Sequence, residues 1–140
     1  MADVIFNSFK KSLMDGSLDL ANDTIKVMLV TSGYTPDADL HDFRDDVTNE
    51  VSGTGYTAGG AALSNKSVIQ DNADDEGVFD ADDVTWSNST ITARGAVVYK
   101  DTGAASTSPL ICYIDFGADK SSEGADFTIQ WNAEGILNVN

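Results

Sequence analysis

FDADDVTWSNSTITARGAVVYK, residues 79–100, carries the cleanest alternation in the chain. In its second half Ile91, Ala93, Gly95, Val97 and Tyr99 fall on one face, and Thr90, Thr92, Arg94, Ala96, Val98 and Lys100 on the other. That two-residue period belongs to a pleated strand with one face in a core. Val84 and Trp86 form a shorter apolar pair ahead of it, and Ser87-Asn88-Ser89 supplies turn chemistry between the two runs. The pattern predicts a hairpin whose apolar face anchors an antiparallel sheet. It offers no nucleophile, base or ligand set.

Downstream, residues 110–116 are apolar on both faces and read as the central strand of a sheet. Residues 117–125 (GADKSSEGA) read as a loop. Phe127, Ile129 and Trp131 then alternate with Thr128, Gln130 and Asn132 as a one-sided strand, and Asn132-Ala133-Glu134-Gly135 turns the chain into a last strand over residues 136–139. In this reading Trp86 and Trp131 belong to core faces.

Upstream, residues 24–31 (TIKVMLVT) form a strand rich in branched residues, apolar on both faces and so covered on both sides. Phe6, Phe9 and Leu13 share a helical face, with Asn7 or Ser8 as cap and Gly16 as stop. Leu40, Phe43, Val47 and Val51 recur at three- and four-residue spacing and predict a second short helix, capped by Asp37 or Asp39, with acids and His41 on its solvent face. The expected fold is therefore mainly β. It is an antiparallel β-sandwich, a jelly roll being one arrangement that fits, with one or two short helices in the N-terminal third.

A chain of 140 residues is long enough for one domain that buries roughly two thirds of its unfolded surface. We read residues 1–140 as one sandwich with an N-terminal helical or arm segment over about residues 1–20. No apolar run approaches the ~18 residues of a membrane span, and MADVIFNSFKK lacks the pattern of a secretory signal. Twenty-three acids against eight basic residues give a net charge of −15. That charge opposes direct binding of nucleic acid, which needs Lys and Arg to neutralise phosphates, and opposes anionic membranes. It favours solubility at high local concentration.

Catalytic and ligand chemistry is sparse. The single cysteine, Cys112, lies in the apolar run LICYIDF and reads as a buried thiol. With one histidine, His-dependent nucleophilic catalysis and multi-histidine metal sites have no basis. Ser52-Gly53-Thr54-Gly55-Tyr56 opens a glycine-rich segment through Gly59 and Gly60 that matches neither phosphate-loop nor dinucleotide spacing. Its glycines instead permit unusual backbone angles or close approach to a neighbour, with Tyr56 packed. Residues 71–83 (DNADDEGVFDADD) are the one ligand-like group. Asp71, Asp74, Asp75, Asp80, Asp82 and Asp83 are weak candidates for a hard cation. The spacing is not that of a helix-loop-helix calcium loop, and two acidic hairpin ends around a short strand explain it as well. The reading is non-enzymatic, with no cofactor and no catalytic residue.

The strings DTIKVMLVTSGYTPDADLHDFRDDVTNEVSGTGYTAGGAAL, FDADDVTWSNSTITARGAVVYKDTG and DFTIQWNAEGIL together resemble a family of small virion proteins of tailed bacteriophages, over about residues 4–139. The likeness lies in long strings of ordinary residues and not in a compact motif. It implies a non-enzymatic subunit present in many copies, made in the host cytoplasm and located on the capsid surface as a decoration (cement) protein. Its partners would be the major capsid protein and copies of itself. A tail tube or tip subunit, and a carbohydrate- or receptor-binding module, are the alternatives. Candidate contact elements are residues 4–13, with Phe6 and Phe9, and the loop around Tyr56; Phe6 and Phe9 serve equally well as closure of the chain's own core.

Overall fold

The computed structural model describes residues 2–140. The protein is mainly β, an antiparallel sandwich of two sheets with one α-helix near the N-terminus. In chain order the elements are β1 (Val4–Ile5), α1 (Asn7–Asp15), β2 (Ile25–Val30), β3 (Ala61–Ala62), β4 (Ser67–Asp71), β5 (Glu76–Asp80), β6 (Val84–Lys100), β7 (Leu110–Ile129) and β8 (Leu137–Val139). The larger sheet has the order β1-β7-β6-β2-β3 and the smaller β4-β5-β8. Five strands against three is not the paired four-stranded arrangement of a jelly roll.

Two apolar clusters hold the larger sheet, one on each face. Val27, Leu29, Ala96, Val98 and Ile111 join Phe79 and Leu137 of the smaller sheet in the main core. On the other face Met28, Val30, Val97, Tyr99, Leu110 and Tyr113 pack with Phe6 and Tyr34. The expectation that residues 24–31 are covered on both sides holds, because side chains alternate along β2 and both sets find apolar neighbours.

Three predicted boundaries differ from what forms. Ser87-Asn88-Ser89 is not a hairpin turn: β6 runs through it as one strand of 17 residues. The extra residue is absorbed as a bulge, with a register shift between Trp86 and Ser89 and Asn88 at φ 50°. Ser89 turns inward there, its Oγ within 3.0 Å of the Trp86 carbonyl and 2.8 Å of Ser122 Oγ. Residues 117–125 are likewise strand, within the 20-residue β7. Their serines pair across the ladder, as in Thr92 Oγ1 to Ser121 Oγ at 2.7 Å, while residues 116–119 bulge out opposite Arg94 with Gly117 at φ 81°.

The predicted second helix is reduced to a single 3-10 turn, Arg44–Asp46. Its backbone is committed elsewhere: Phe43 bridges Pro109, the Arg44 amide donates to the Ser108 carbonyl, and Glu50 bridges Val30. His41 accordingly lies on no helix. Tyr34 Oη meets its Nδ1 at 2.9 Å, and the two rings stack. Neither Asn7 nor Ser8 caps α1; Phe6 occupies that place without a side-chain bond. Asn7 reaches sideways to Asp39 Oδ1 at 2.7 Å. Gly16 does stop the helix, left-handed at φ 75° with its amide on the Ser12 carbonyl.

Ion pairs clamp the end of the β2–β6 pair. Lys26 meets Asp101 at 2.9 Å and Lys100 meets Asp23 at 3.0 Å. The Lys26 ammonium, followed by the Gly103 amide, lowers the Asp101 carboxyl from its ordinary value of 3.8. A carboxyl lowered in the folded state stabilises it above the unfolded pKa and loses that contribution as pH falls through the folded one. Replacing Asp101 by asparagine should therefore reduce stability at pH 7 and have a diminishing effect as the pH is taken below 3.8, read from thermal melts across that range.

Candidate functional site

A group of buried and part-buried polar contacts ties the glycine-rich loop to the sheet. Tyr56 Oη donates to Glu50 Oε2 at 2.7 Å and accepts from the Leu29 amide at 2.9 Å. The same Glu50 oxygen accepts from the Gly59 amide at 2.7 Å, and Tyr99 Oη donates to the Gly59 carbonyl at 2.5 Å. Arg44 lies over the Tyr99 ring, 5.6 Å from its centre. Burial pushes the Tyr99 phenol up to about 12 and raises that of Tyr56 as well, so both act as hydrogen-bonding groups and not as bases at neutral pH. This constellation holds a loop in place. Tyr56→Phe should leave the Leu29 amide unsatisfied and cost about 1–3 kcal/mol in urea denaturation; full retention of stability would remove the loop-anchor role.

The candidate ligands of residues 71–83 do not converge as one site. Asp82 Oδ2 accepts from Asn65 Nδ2 at 2.6 Å, Asp83 Oδ1 from the Trp131 amide at 3.0 Å, and the Asp82 carbonyl from Trp131 Nε1 at 2.8 Å. These two residues form a clasp on Trp131. Asp80 accepts from the next amide, that of Ala81. Asp71 and Asp74 come together with Glu76, a residue not among the candidates, at the β4–β5 turn. Glu76 lies opposite Asp71 in the ladder, a neighbourhood that only strand register creates. Asp71 Oδ1 there accepts from the Ala73 amide at 2.9 Å, and Glu76 from Asn138 at 2.7 Å. The turn's own chemistry accounts for this group, and Asp75 sits in it at φ 58°.

The potential nucleophiles are similarly engaged. Cys112 is fully buried and desolvation pushes its thiol up to about 12, far from the low-pKa, accessible setting of a reactive cysteine. Ellman's reagent at pH 8 should leave the native chain unlabelled and modify one thiol after denaturation; rapid native labelling would contradict the burial. His41 Nδ1 faces both Tyr34 Oη and the Asp37 amide, 3.2 Å away. A backbone N–H pointing at Nδ1 makes that nitrogen an acceptor.

Of the candidate contact residues, Phe6 and Phe9 are 0% and 1% exposed. Of the two roles open to them, closure of the chain's own core is the one the structure realises, Phe6 in one cluster and Phe9 in the other. Tyr56 is half-buried against the main core, its ring 5.8 Å from that of Trp86. Trp86 and Trp131 are core residues, as expected.

The surface has other features. An open cleft of about 710 Å³ runs beside β7, between Phe116, Phe127 and Trp131 on its floor and Lys120, Asp126 and Asn132 on its rim. A shallower hollow of about 610 Å³ lies over the smaller sheet at Gly77, flanked by Val68, Ile69 and Val139. Those three side chains are among the most exposed large apolar residues of the protein, at 54%, 55% and 55%. Nothing in the sequence marks them, because branched residues in a short strand read as core. Among the described residues no helix is long and apolar enough to cross a membrane. Comparison with protein-family models, curated proteins and solved structures finds no match for this chain.

Proposed function

We propose that this chain is a non-enzymatic structural protein of a phage virion, a decoration (cement) protein that bridges neighbouring major capsid subunits. The observation that carries the reading is where the protein places its reactive chemistry. Glu50, Tyr56 and Tyr99 anchor a loop, Asp82 and Asp83 clasp Trp131, His41 is held by Tyr34, and Cys112 is sealed in the core. Each is a fastening. A cement protein needs that kind of fold: it resists deformation while apolar and polar surface patches bridge its neighbours. The likeness of three long segments to small virion proteins of tailed phages supports the same reading, and the net charge of −15 suits a subunit crowded at high local density.

The test is a cryo-EM map of the particle that carries this chain. Density for the sandwich at many symmetry-related positions on the head surface is the expected result. Density confined to the tail would replace the decoration role with that of a tail subunit. Trp86 is 6% exposed, and Trp131, 9% exposed at the floor of the cleft beside β7, has its indole held by the Asp82 carbonyl, so a sugar finds little ring face on which to stack.

A further inference from the structure

The free edges of the two sheets are closed in different ways. β1 and β3 are two residues long and β8 three. The outer edge of β7 beyond Tyr113 carries Asp119, Lys120, Glu123 and Asp126 and is bent at Gly117. Shortness, charge and bulges are the devices that keep edge strands from pairing with other chains. β4 is longer and unbulged, and its one charge, Asp71, stands at its end. Its five residues stand at the margin of the smaller sheet, paired only with β5. Ser67, Val68, Ile69 and Gln70 are uncharged and exposed, and Val68 and Ile69, being consecutive, project to opposite faces. Branched apolar residues exposed on both faces of an uncapped edge form a surface that pairing would cover.

We propose that β4 is the pairing edge of a two-fold homodimer, two copies joining antiparallel about Ile69. Only this centring pairs all five residues: Ile69 lies opposite the partner's Ile69, Val68 opposite the partner's Gln70, and Ser67 opposite the partner's Asp71. The two smaller sheets become one continuous sheet, and the isologous arrangement is closed by its two-fold axis, leaving only the three-residue β8 at each margin. The charge pattern selects the occupant. A chain of net charge −15 resists its own copies, so a self-pairing edge must keep acids apart. Here the one acid of β4, Asp71, faces a serine, and the acidic turn after it runs towards the partner's Lys66, whose ammonium also donates to the Asp23 carbonyl of its own chain. The cross-strand isoleucine pair adds apolar contact on one face. This pairing gives the self-association within the virion reading a specific surface. Because it stands on β4 alone, it can fail while that reading survives, and the particle map and the solution experiment separate the two.

The test is sedimentation of the full chain over a concentration series, with two variants. The native protein is expected to reach twice the chain mass as concentration rises. Ile69→Lys places a charge opposite its own copy and should weaken association at least tenfold, with the far-UV spectrum and melting temperature of the dilute monomer unchanged because Ile69 is exposed in the fold. Ile69→Cys should oxidise to a disulfide-linked dimer, since opposed antiparallel residues lie about 4.5–5.5 Å apart, within the range a disulfide spans, and the only other thiol, Cys112, is buried. A native chain that stays monomeric throughout overturns the proposal. So does an oligomer whose mass Ile69→Lys leaves unchanged, or one in which Ile69→Cys fails to cross-link.

Discussion

Replacing Gly60 by alanine is expected to abolish folding or to remove more than ~4 kcal/mol of stability, among the largest effects a single substitution produces. Gly60 sits at φ 77°, a left-handed angle that costs an alanine about 1–2 kcal/mol by itself. The larger part is steric. A β-carbon there would stand 1.8 Å from the Val27 carbonyl oxygen and 2.8 Å from the Met28 α-carbon. Those are backbone atoms of β2, held on its other side by the full ladder with β6, so they cannot retreat. The loop would have to move, losing the Lys26–Ala62 and Val27–Ala61 pairing and the Glu50–Tyr56–Gly59 contacts together. Gly103→Ala is the matched control: φ is 93° but nothing lies within 4 Å, so only the backbone strain of about 1–2 kcal/mol should remain. Urea denaturation followed by the fluorescence of the two buried tryptophans measures both. Equal effects at the two positions would contradict the close approach of the loop to β2.

Phe6→Ala should lower the stability of the isolated chain by about 3–5 kcal/mol, the range for emptying a fully buried aromatic site. Phe6 has no exposed surface and packs with Met28, Val30, Tyr34, Val97, Tyr99, Leu110 and Tyr113. Those neighbours come from three strands and a loop, which limits how far the cavity can collapse. The measurement separates the two roles the sequence leaves open for this residue. A phenylalanine that served only to contact another subunit would leave the melting temperature of the free chain unchanged when removed. A phenylalanine that closes the core would lower it at any dilution.

How much of this was legible varies with the kind of residue. Apolar alternation placed β2 and the first part of β7 correctly, because a strand with a buried face must alternate whatever its partner. In β6 it found the strand but not its faces: the register shift between Ala93 and Gly95 swaps them, so Ile91 and Ala93 share the main core with Ala96 and Val98, while Val97 and Tyr99 pack on the opposite side of the sheet. The burial of Cys112, Trp86 and Trp131 followed from the same periodicity. Gly16 announced the end of α1, since a left-handed residue there is a local requirement. The polar runs mislead. GADKSSEGA has the composition of a loop, and its pairing with residues 89–93 of β6 rests on cross-strand serine and threonine contacts visible only once both strands are in register. LHDFRDDVTNEV has helical spacing, yet its amides and carbonyls bond to Ser108, Pro109 and β2. Tertiary partners overrode local periodicity.

For the candidate surfaces the divide is sharper. Glu50 joins Tyr56 and Gly59 through a loop whose path depends on how closely Gly60 approaches β2. Glu76 joins Asp71 through strand register. The exposure of Val68 and Ile69 depends on β4 having a neighbour on one side only. By itself the sequence determined the class of fold, the charge that sets what the protein repels, and which side chains must leave water, because each follows from composition and from a period of two. Only the tertiary structure decided which polar runs become strands, which acids are clasps, and which edge is left open. Those outcomes depend on the hydrogen-bonding and steric complement supplied by residues distant in the chain, and no local pattern carries it.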